Sequence, residues 1–512
     1  MRPGLLFERE HDDLDMLAAR AGSGPAEAMA VDLGLERLYD AMARGDEFLG
    51  DVARTVVPVP LQSIEGIRYR QAVLADCLAN PAAARALYQV AAEAIDVERR
   101  IWGAGMRNPE LVLSRAIEVL EVFLRALVEL RTLAARSQAT CESQGFDAFF
   151  TQLNADVDDE FLATARGHLA NLRSRSIHVT ARLGPGNRGT GYVLQRRPES
   201  GQRLRSRVMA AARAGGTLKV LLRDQNAMNT LAEVRALAIA PAAGALTESA
   251  GHILAFFRRL RFEMGFYVGC LNLHESLRAR DVPLCIPEPV ATGSGGAAFL
   301  GLRDPGLALL GGGAIIGSDL NVGPASLVLA TGVSGGGKAT FLRAVGLAQV
   351  MLQAGMFVAA EAFRADLRSS VLTHFPRKED AAMERGRLDE ELARLSVLVD
   401  AATPHSLVLM DESFASTNER EAAQVAHDVI GALVDSGVRV WFATHLHQYA
   451  ADLRQTAPWP VLFVAPALGA DGERTFRMTD APPGPSSNAM DLFASAFGVP
   501  DLSTGTQTEH SG

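Results

Sequence analysis

Between about residue 11 and residue 136, apolar residues recur at helical spacing in a background of Ala, Leu, Glu and Arg. The stretch "SRAIEVLEVFLRALVELRTLAA" shows it best: Ile117, Leu120, Phe123, Leu124, Leu127 and Val128 form a broad stripe, as in a helix with one face in a core. A second helical stretch near residues 156–172 leads into "SIHVTARLGPGNRGTGYVLQR". There two strand-like runs flank a Gly/Pro/Asn turn, and "TLKVLLRD" offers another strand. Helical periodicity resumes through "ILAFFRRLRFEMGFYVGCLNLHESLRA".

Around residues 283–325 the texture changes to Pro, Gly and short apolar pieces, which places a boundary near residue 285. Beyond this region strand and helix patterns alternate: "SLVLAT", a helix opening at Lys338, a charged helix over about 387–399, "SLVLMD", a helix over about 419–435, and "VRVWFAT". Such alternation predicts an α/β domain with a largely parallel sheet. The expected organisation is multidomain: a mainly helical region over 1–284 with a β element near 174–226, an α/β domain over 285–480, and a connector with a disordered tail over 481–512. No internal repeat is visible.

The chain has 512 residues, too many for one ordinary core, and two to four domains are expected. Its 50 basic and 59 acidic residues leave a net charge of -9, so the molecule as a whole has no pull towards nucleic acid. A local patch is another matter: "RRPESGQRLRSR" sets five arginines against one glutamate. Cys77, Cys141, Cys270 and Cys285 form no CxxC pair, which argues against a zinc site or a dense disulfide framework and fits a reducing cytoplasm. The start "MRPGLLFERE" has no apolar signal core, and the most apolar stretch is broken by Arg303, Asp304 and several glycines. A cytoplasmic protein without a membrane span is expected.

Three motifs carry the chemistry. "TGVSGGGKAT", residues 331–340, meets the phosphate-loop pattern G-x-x-x-x-G-K-[ST] at Gly332, Gly337 and Lys338, but has Ala339 where a magnesium-binding hydroxyl belongs. An apolar strand precedes it and a helix comes after it, so the helix start can hold phosphate through free N–H groups. "SLVLMDES" ends an apolar strand on Asp411 and Glu412, and a carboxylate beside a core is costly unless it has work. Asp411 suits magnesium and Glu412 an attacking water; the plainer alternative is two acids capping the next helix. "VRVWFATHLH" brings Thr444 and His445 to another strand end, where His445 either meets a γ-phosphate or is an ordinary surface residue.

In this order the motifs resemble the ATPase domain of the MutS family of DNA mismatch-repair proteins, over residues 315–450. That family's loop reads G-P-N-M-G-G-K-S-T, against Gly332-Val333-Ser334-Gly335-Gly336-Gly337-Lys338-Ala339-Thr340; its strand-end acids fall on Asp411 and Glu412, its T-H pair on Thr444 and His445. "RAVGLAQVMLQAGMFVAAEAF" and "DESFASTNERE" look closer to a shorter bacterial branch, and "SIEGIRYRQAVLADCLANP" resembles the family's helical core. The resemblance implies a helical core and lever region followed by a P-loop NTPase domain of ABC/MutS type. It implies ATP and Mg2+, with the 332–340 residues around the phosphates, Ile315 at the adenine, Asp411 and a displaced Thr340 at the metal, and Glu412 and His445 as catalytic residues. It also implies a homodimer with composite ATP sites, and levers that reach towards DNA.

Departures qualify this. Ala339 lacks the hydroxyl and Ile315 lacks the stacking ring. The trans-acting segment S-T-F-x-x-E-M matches Gly386-Arg387-Leu388-Asp389-Glu390-Glu391-Leu392, without its serine. "FASTNERE", residues 414–421, is a second trans-acting candidate, and equally a helix start with Ser416, Thr417 and Asn418 as caps. The roughly 285 residues before the ATPase part are too few for the complete family set of domains, and no aromatic-x-Glu mismatch wedge can be placed. Three readings stay open: a nucleotide-gated dimer acting on DNA with slow hydrolysis, a regulatory scaffold that binds nucleotide without turnover, and an ATPase whose arms grip a protein.

Overall fold

The computed structural model describes residues 2–6, 14–101, 108–173, 178–183, 189–195, 225–311, 313, 315–332, 335–376, 387–414, 417–468 and 474–482. They fall into two compact units, residues 1–5 with Asn80–Met264, and Leu6–Ala79 with Gly265–Gly512. The helical region followed by a mixed α/β domain agrees with the fold class expected from the sequence.

The chain opens with helices α1 (Leu14–Ala21), α2 (Gly24–Leu33), α3 (Glu36–Ala43), α4 (Glu47–Val56) and α5 (Ile64–Ala79), all in the second unit. The first unit then begins with two helices of the same grammar. Asn80 caps α6 (Pro81–Arg100) and Asn108 caps α7 (Pro109–Ser137); each Asn side chain accepts a backbone N–H, and Pro follows at the first helical position, where no N–H is needed. The predicted stripe on α7 is buried at Ile117, Leu120, Phe123, Leu124 and Leu127, while Val128 is half-buried and Leu130 completes the face. Helices α8 (Gln144–Asp156) and α9 (Asp159–Arg173) pack on α7, and an Arg115–Glu98 ion pair at 2.6 Å ties α7 to α6. Strands β1 (His178–Leu183) and β2 (Gly189–Gln195) form the expected antiparallel hairpin. The candidate strand "TLKVLLRD" and the arginine-rich "RRPESGQRLRSR" lie outside the described residues. Helix α10 (Gln225–Arg278) runs for 54 residues with Pro241 inside it, and the division between the units falls within it.

The second unit continues with β3 (Glu288–Val290), β4 (Ala297–Leu302), α11 (Pro305–Leu310), β5 (Ser318–Asn321), β6 (Leu327–Ala330), α12 (Lys338–Gln353), β7 (Ala362–Asp366), β8 (Val371–His374), α13 (Arg387–Ala401), β9 (Leu407–Asp411), α14 (Glu419–Asp435), β10 (Arg439–Ala443), α15 (His447–Thr456), β11 (Val461–Leu468) and β12 (Arg474–Asp480). Its main sheet has the order β12-β11-β6-β10-β9-β8, parallel throughout except for β12. Ala443 of β10 pairs with both Ala330 of β6 and Asp411 of β9, so three strands end level with one another. All four residues of β6 and all five of β9 are buried, which is why both read as unbroken apolar runs in sequence. A smaller mixed sheet, β3-β7-β4-β5, lies across α12: Phe341 of α12 meets Phe299 of β4 and Trp441 of β10 at centroid distances of 6.2 and 5.8 Å.

Residues 6–79 belong to this unit by side-chain contact. A Cβ on Gly346 of α12 would come within 2.7 Å of Leu33 and 2.6 Å of Leu409, so α12 packs closely on both α2 and β9 there and a larger residue would displace both Leu side chains. Asp32 accepts a hydrogen bond from Thr373 Oγ1 at 2.8 Å. Arg70, 1% exposed, donates to Leu6 O and Ala354 O and lies over the Phe266 ring. The bounds 1–284 and 285–480 follow sequence texture; the compact units follow packing, and they divide the chain differently. Of the expected connector and tail, residues 483–512 lie outside the described residues. Among the described residues no helix is long and apolar enough to cross a membrane.

Candidate functional site

The glycine loop connects β6 to α12. Gly332, Gly335 and Gly337 have φ of 124°, 72° and 93°, conformations that a Cβ disfavours, and at Gly332 a Cβ would also strike Pro466 at 2.8 Å. Gly337 caps the 16-residue α12 without any side-chain hydrogen bond, leaving the first N–H groups of the helix directed at the loop. Gly336 is buried in the loop; Val333 and Ser334 lie outside the described residues.

The level strand ends bring the other candidates to the same place. Glu412 N donates to Ala443 O at 2.8 Å and Thr444 N to Ala330 O at 3.0 Å, which extends the sheet register past the strand ends. Lys338 Nζ donates to Gly332 O at 2.9 Å and lies 3.4 Å from His445 Nε2. His445 Nε2 in turn is 2.8 Å from Glu412 Oε1. Four residues expected to act together from sequence, Lys338, Asp411, Glu412 and His445, are thus gathered at the carboxyl edge of the sheet.

Their electrostatics are coupled. Asp411 is 7% exposed; burial, then repulsion from Glu412, pushes its carboxyl up to about 6 against the opposing pull of Arg343, Lys338 and His445. Glu412 is held below the ordinary carboxylate range, first by its hydrogen bond with His445. Burial lowers the Lys338 ammonium, while Glu412 and Asp411 oppose the shift. One acid is therefore easily protonated and its neighbour stays ionised. Glu412 also has φ 47°, a left-handed conformation that costs a non-glycine residue roughly 1–2 kcal/mol.

Beside the loop opens a pocket of about 480 Å³. Leu302, Asp304, Leu307, Ile315, Thr340 and Phe476 line it, together with Lys338, Ala339 and Glu412 of the motifs. Ile315 is where the resemblance places an adenine contact, and its carbonyl accepts from Arg303 Nε at 3.0 Å. The Thr340 hydroxyl accepts from Arg343 NH2 at 3.2 Å, and Arg343 Nε pairs with the buried Asp304 at 3.3 Å. The hydroxyl nearest to Ala339 is thus engaged by a guanidinium.

Phe476 escaped the sequence reading. It is 50% exposed with φ 55°, and its ring lies 3.7 Å from where a Cβ on Gly337 would be. The only signal was a lone aromatic in "ERTFRMTD", some thirty residues past the last recognised motif.

Both trans-acting candidates are described in part. Gly386, Ala415 and Ser416 lie outside the described residues, and α13 begins at Arg387. Asn418 caps α14, accepting from Glu421 N at 3.0 Å, and Thr417 Oγ1 donates to the Glu421 carboxylate. Among the described residues no cluster of three or more His, Cys, Asp or Glu side chains is arranged to hold a metal ion.

Comparison with known proteins matches residues 62–280 to the MutS2 N-terminal domain and residues 328–461 to MutS domain V. An endonuclease MutS2 of Anaeromyxobacter sp. (strain Fw109-5) is 32% identical over 286 residues, 53% of this chain and 35% of that protein. A DNA mismatch repair protein MutS 2 of Haloarcula marismortui is 32% identical over 187 residues, 34% of this chain and 18% of that protein. A probable DNA mismatch repair protein Msh6 of Drosophila melanogaster is 31% identical over 167 residues, 32% of this chain and 14% of that protein. The chain thus spans about a third or less of the length of these relatives. With a MutS2-type helical domain followed by a MutS domain V that encloses the glycine loop and the strand-end acids, the chain belongs to the MutS-related proteins.

Proposed function

We propose that this protein binds ATP with magnesium and works as a nucleotide-gated homodimer on DNA, in mismatch repair or related DNA maintenance, with slow hydrolysis. The observation that carries the reading is the convergence of Lys338, Asp411, Glu412 and His445 at the carboxyl edge of the sheet, with Lys338 and Glu412 also lining a pocket of about 480 Å³ beside the glycine loop. The names of the relatives, two of them mismatch repair proteins, support the DNA part. In this reading a helical core and lever region over 1–284 serves an ATPase domain over 285–480.

Lys338 and the loop N–H groups of Gly332 to Gly337 would hold phosphate, Ile315 and Phe476 the base, and Asp411 the magnesium ion through water. When bound, magnesium would neutralise phosphate charge. Glu412, kept ionised by His445, is suited to orient a water or take its proton, and His445 is placed to report on the γ-phosphate. Closure of two such sites across a dimer would move the attached helical arms.

A second reading, a scaffold that binds nucleotide and grips a protein partner with little turnover, is favoured by one observation. Ala339 has no hydroxyl, and that of Thr340 already accepts from Arg343. Phosphate release with and without duplex DNA, together with solution mass in apo, ADP and non-hydrolysable ATP states, separates the two. Slow release that responds to DNA, with an ATP-dependent dimer, supports the first reading; an ATP-dependent dimer with no release and no DNA retention supports the second. A monomer in every state rejects composite sites.

A further inference from the structure

The turn that carries Glu412 holds two non-glycine residues in the left-handed region, Glu412 at φ 47° and Phe414 at φ 71°, on either side of Ser413. Such residues persist only where the surroundings over-determine them. Three restraints are present. The Phe414 ring is fully buried and meets Phe442 edge-on at 6.3 Å. Ser413 Oγ lies 2.7 Å from His374 Nδ1 and donates to His374 O at 3.2 Å. The Phe414 N–H donates to Glu391 Oε1 at 2.5 Å.

The third restraint joins the turn to a different element. Glu391 lies in the second turn of α13, its own carbonyl is 3.2 Å from His374 Nε2, and Arg394 one turn on donates to Phe375 O at 2.9 Å. One polar seam therefore runs from α13 through His374 to the residues that come after Glu412. Helix α13 is anchored on the same unit by Leu395 and Leu398, which are buried.

We propose that Glu391 is a positioning residue, whose carboxylate fixes the Phe414 amide and through it the direction of Glu412. This rests on the proposed role of Glu412. It requires that the helix and the turn move together, because the hydrogen bond at Phe414 N ties the turn to α13. A glutamine at 391 keeps an acceptor oxygen there; an alanine removes it.

The test uses the full chain as wild type, Glu391→Ala, Glu391→Gln and Glu412→Gln. Single-turnover phosphate release should fall by about tenfold or more in Glu391→Ala, with nucleotide Kd and melting temperature nearly unchanged, and recover to within about threefold of wild type in Glu391→Gln. Hydrogen exchange gives a readout independent of hydrolysis. A non-hydrolysable ATP analogue should slow exchange in residues 388–395 and 411–414 of wild type and Glu391→Gln; in Glu391→Ala the response at 388–395 should vanish while that at the start of α12 persists. Glu391→Ala with wild-type release, or with the exchange response intact, overturns the proposal, as does equal loss in Ala and Gln variants. Wild-type release in Glu412→Gln, or no analogue response at α12 in any protein, is the separate failure of the functional reading, and takes this inference with it.

Discussion

Glu412 Oε1 lies 2.8 Å from His445 Nε2, so the last acid of one strand-end motif and the histidine of another form a single hydrogen-bonded unit. The bond keeps the Glu412 carboxyl ionised, which leaves its other oxygen able to accept from a water. Glu412→Gln should leave nucleotide affinity nearly intact and cut single-turnover phosphate release by roughly 10²-fold or more, the scale of a lost general base. Unchanged release in a folded variant would remove Glu412 from the chemistry.

Lys338 is held in place by Gly332 O at 2.9 Å and is almost wholly buried, so its charge is desolvated and directed at the loop. Lys338→Ala should weaken ATP binding by about tenfold or more, roughly 1.4 kcal/mol. Calorimetry on both proteins checks this, and equal affinities would argue that the loop serves only as a turn.

Ala339 and Thr340 separate two accounts of how magnesium is held. Because the Thr340 hydroxyl accepts from Arg343, an ion bound to it would sit beside a guanidinium, whose positive charge disfavours a second cation. Ala339→Ser should strengthen magnesium-dependent nucleotide binding or speed hydrolysis, whereas Thr340→Ala should change neither by more than about twofold. A loss of magnesium dependence in Thr340→Ala would reverse the assignment.

The glycine loop and the strand-end acids were legible because they are local: β6 and β9 are buried along their whole length, so they appear as apolar runs, and the functional residues come directly after them. What escaped the sequence depends on contacts between distant segments. Nothing in "SIEGIRYRQ" singles out Arg70, which is buried against Leu6, Ala354 and Phe266. Likewise, the helical texture of residues 14–79 says nothing of their packing with β8 and α12, which rests on Asp32, Leu33 and Gly346. The engagement of Thr340 by Arg343 is near in sequence but depends on Asp304, 39 residues away from Arg343, to hold the guanidinium.

Asp411 supplies a pH signature. A carboxyl whose folded pKa is raised binds its proton more tightly when folded, so its ionisation lowers stability as pH rises from the ordinary 3.8 through about 6. The full shift corresponds to roughly 3 kcal/mol as an upper bound. In thermal melts without nucleotide, Asp411→Asn should therefore be more stable than wild type at pH 8, and the gap should shrink towards pH 4. Taking the difference between the two proteins removes most of the opposite contribution of Glu412, whose lowered pKa favours folding above its ordinary range. A gap that is constant with pH would mean that folding does not raise the Asp411 pKa.

Phe476 is a candidate for the ring that Ile315 lacks. Its side chain is half exposed, lines the same pocket as Ile315 and borders Gly337, so it packs little core and is open to a ligand beside the glycine loop. Stacking of a base on an aromatic side chain is worth about 1–3 kcal/mol by alanine substitution. Phe476→Ala should therefore weaken ATP binding by roughly tenfold, and Phe476→Trp should restore it. Because alanine tolerates φ 55° no better than phenylalanine, backbone strain is unchanged and the melting temperature should stay close to wild type. Inorganic triphosphate distinguishes a base contact from a damaged loop: its affinity should be the same in both proteins if Phe476 touches only the nucleoside. Equal loss of ATP and triphosphate binding would instead place the effect at Gly337, and undiminished ATP affinity would leave the apolar surface at Ile315 as the base contact.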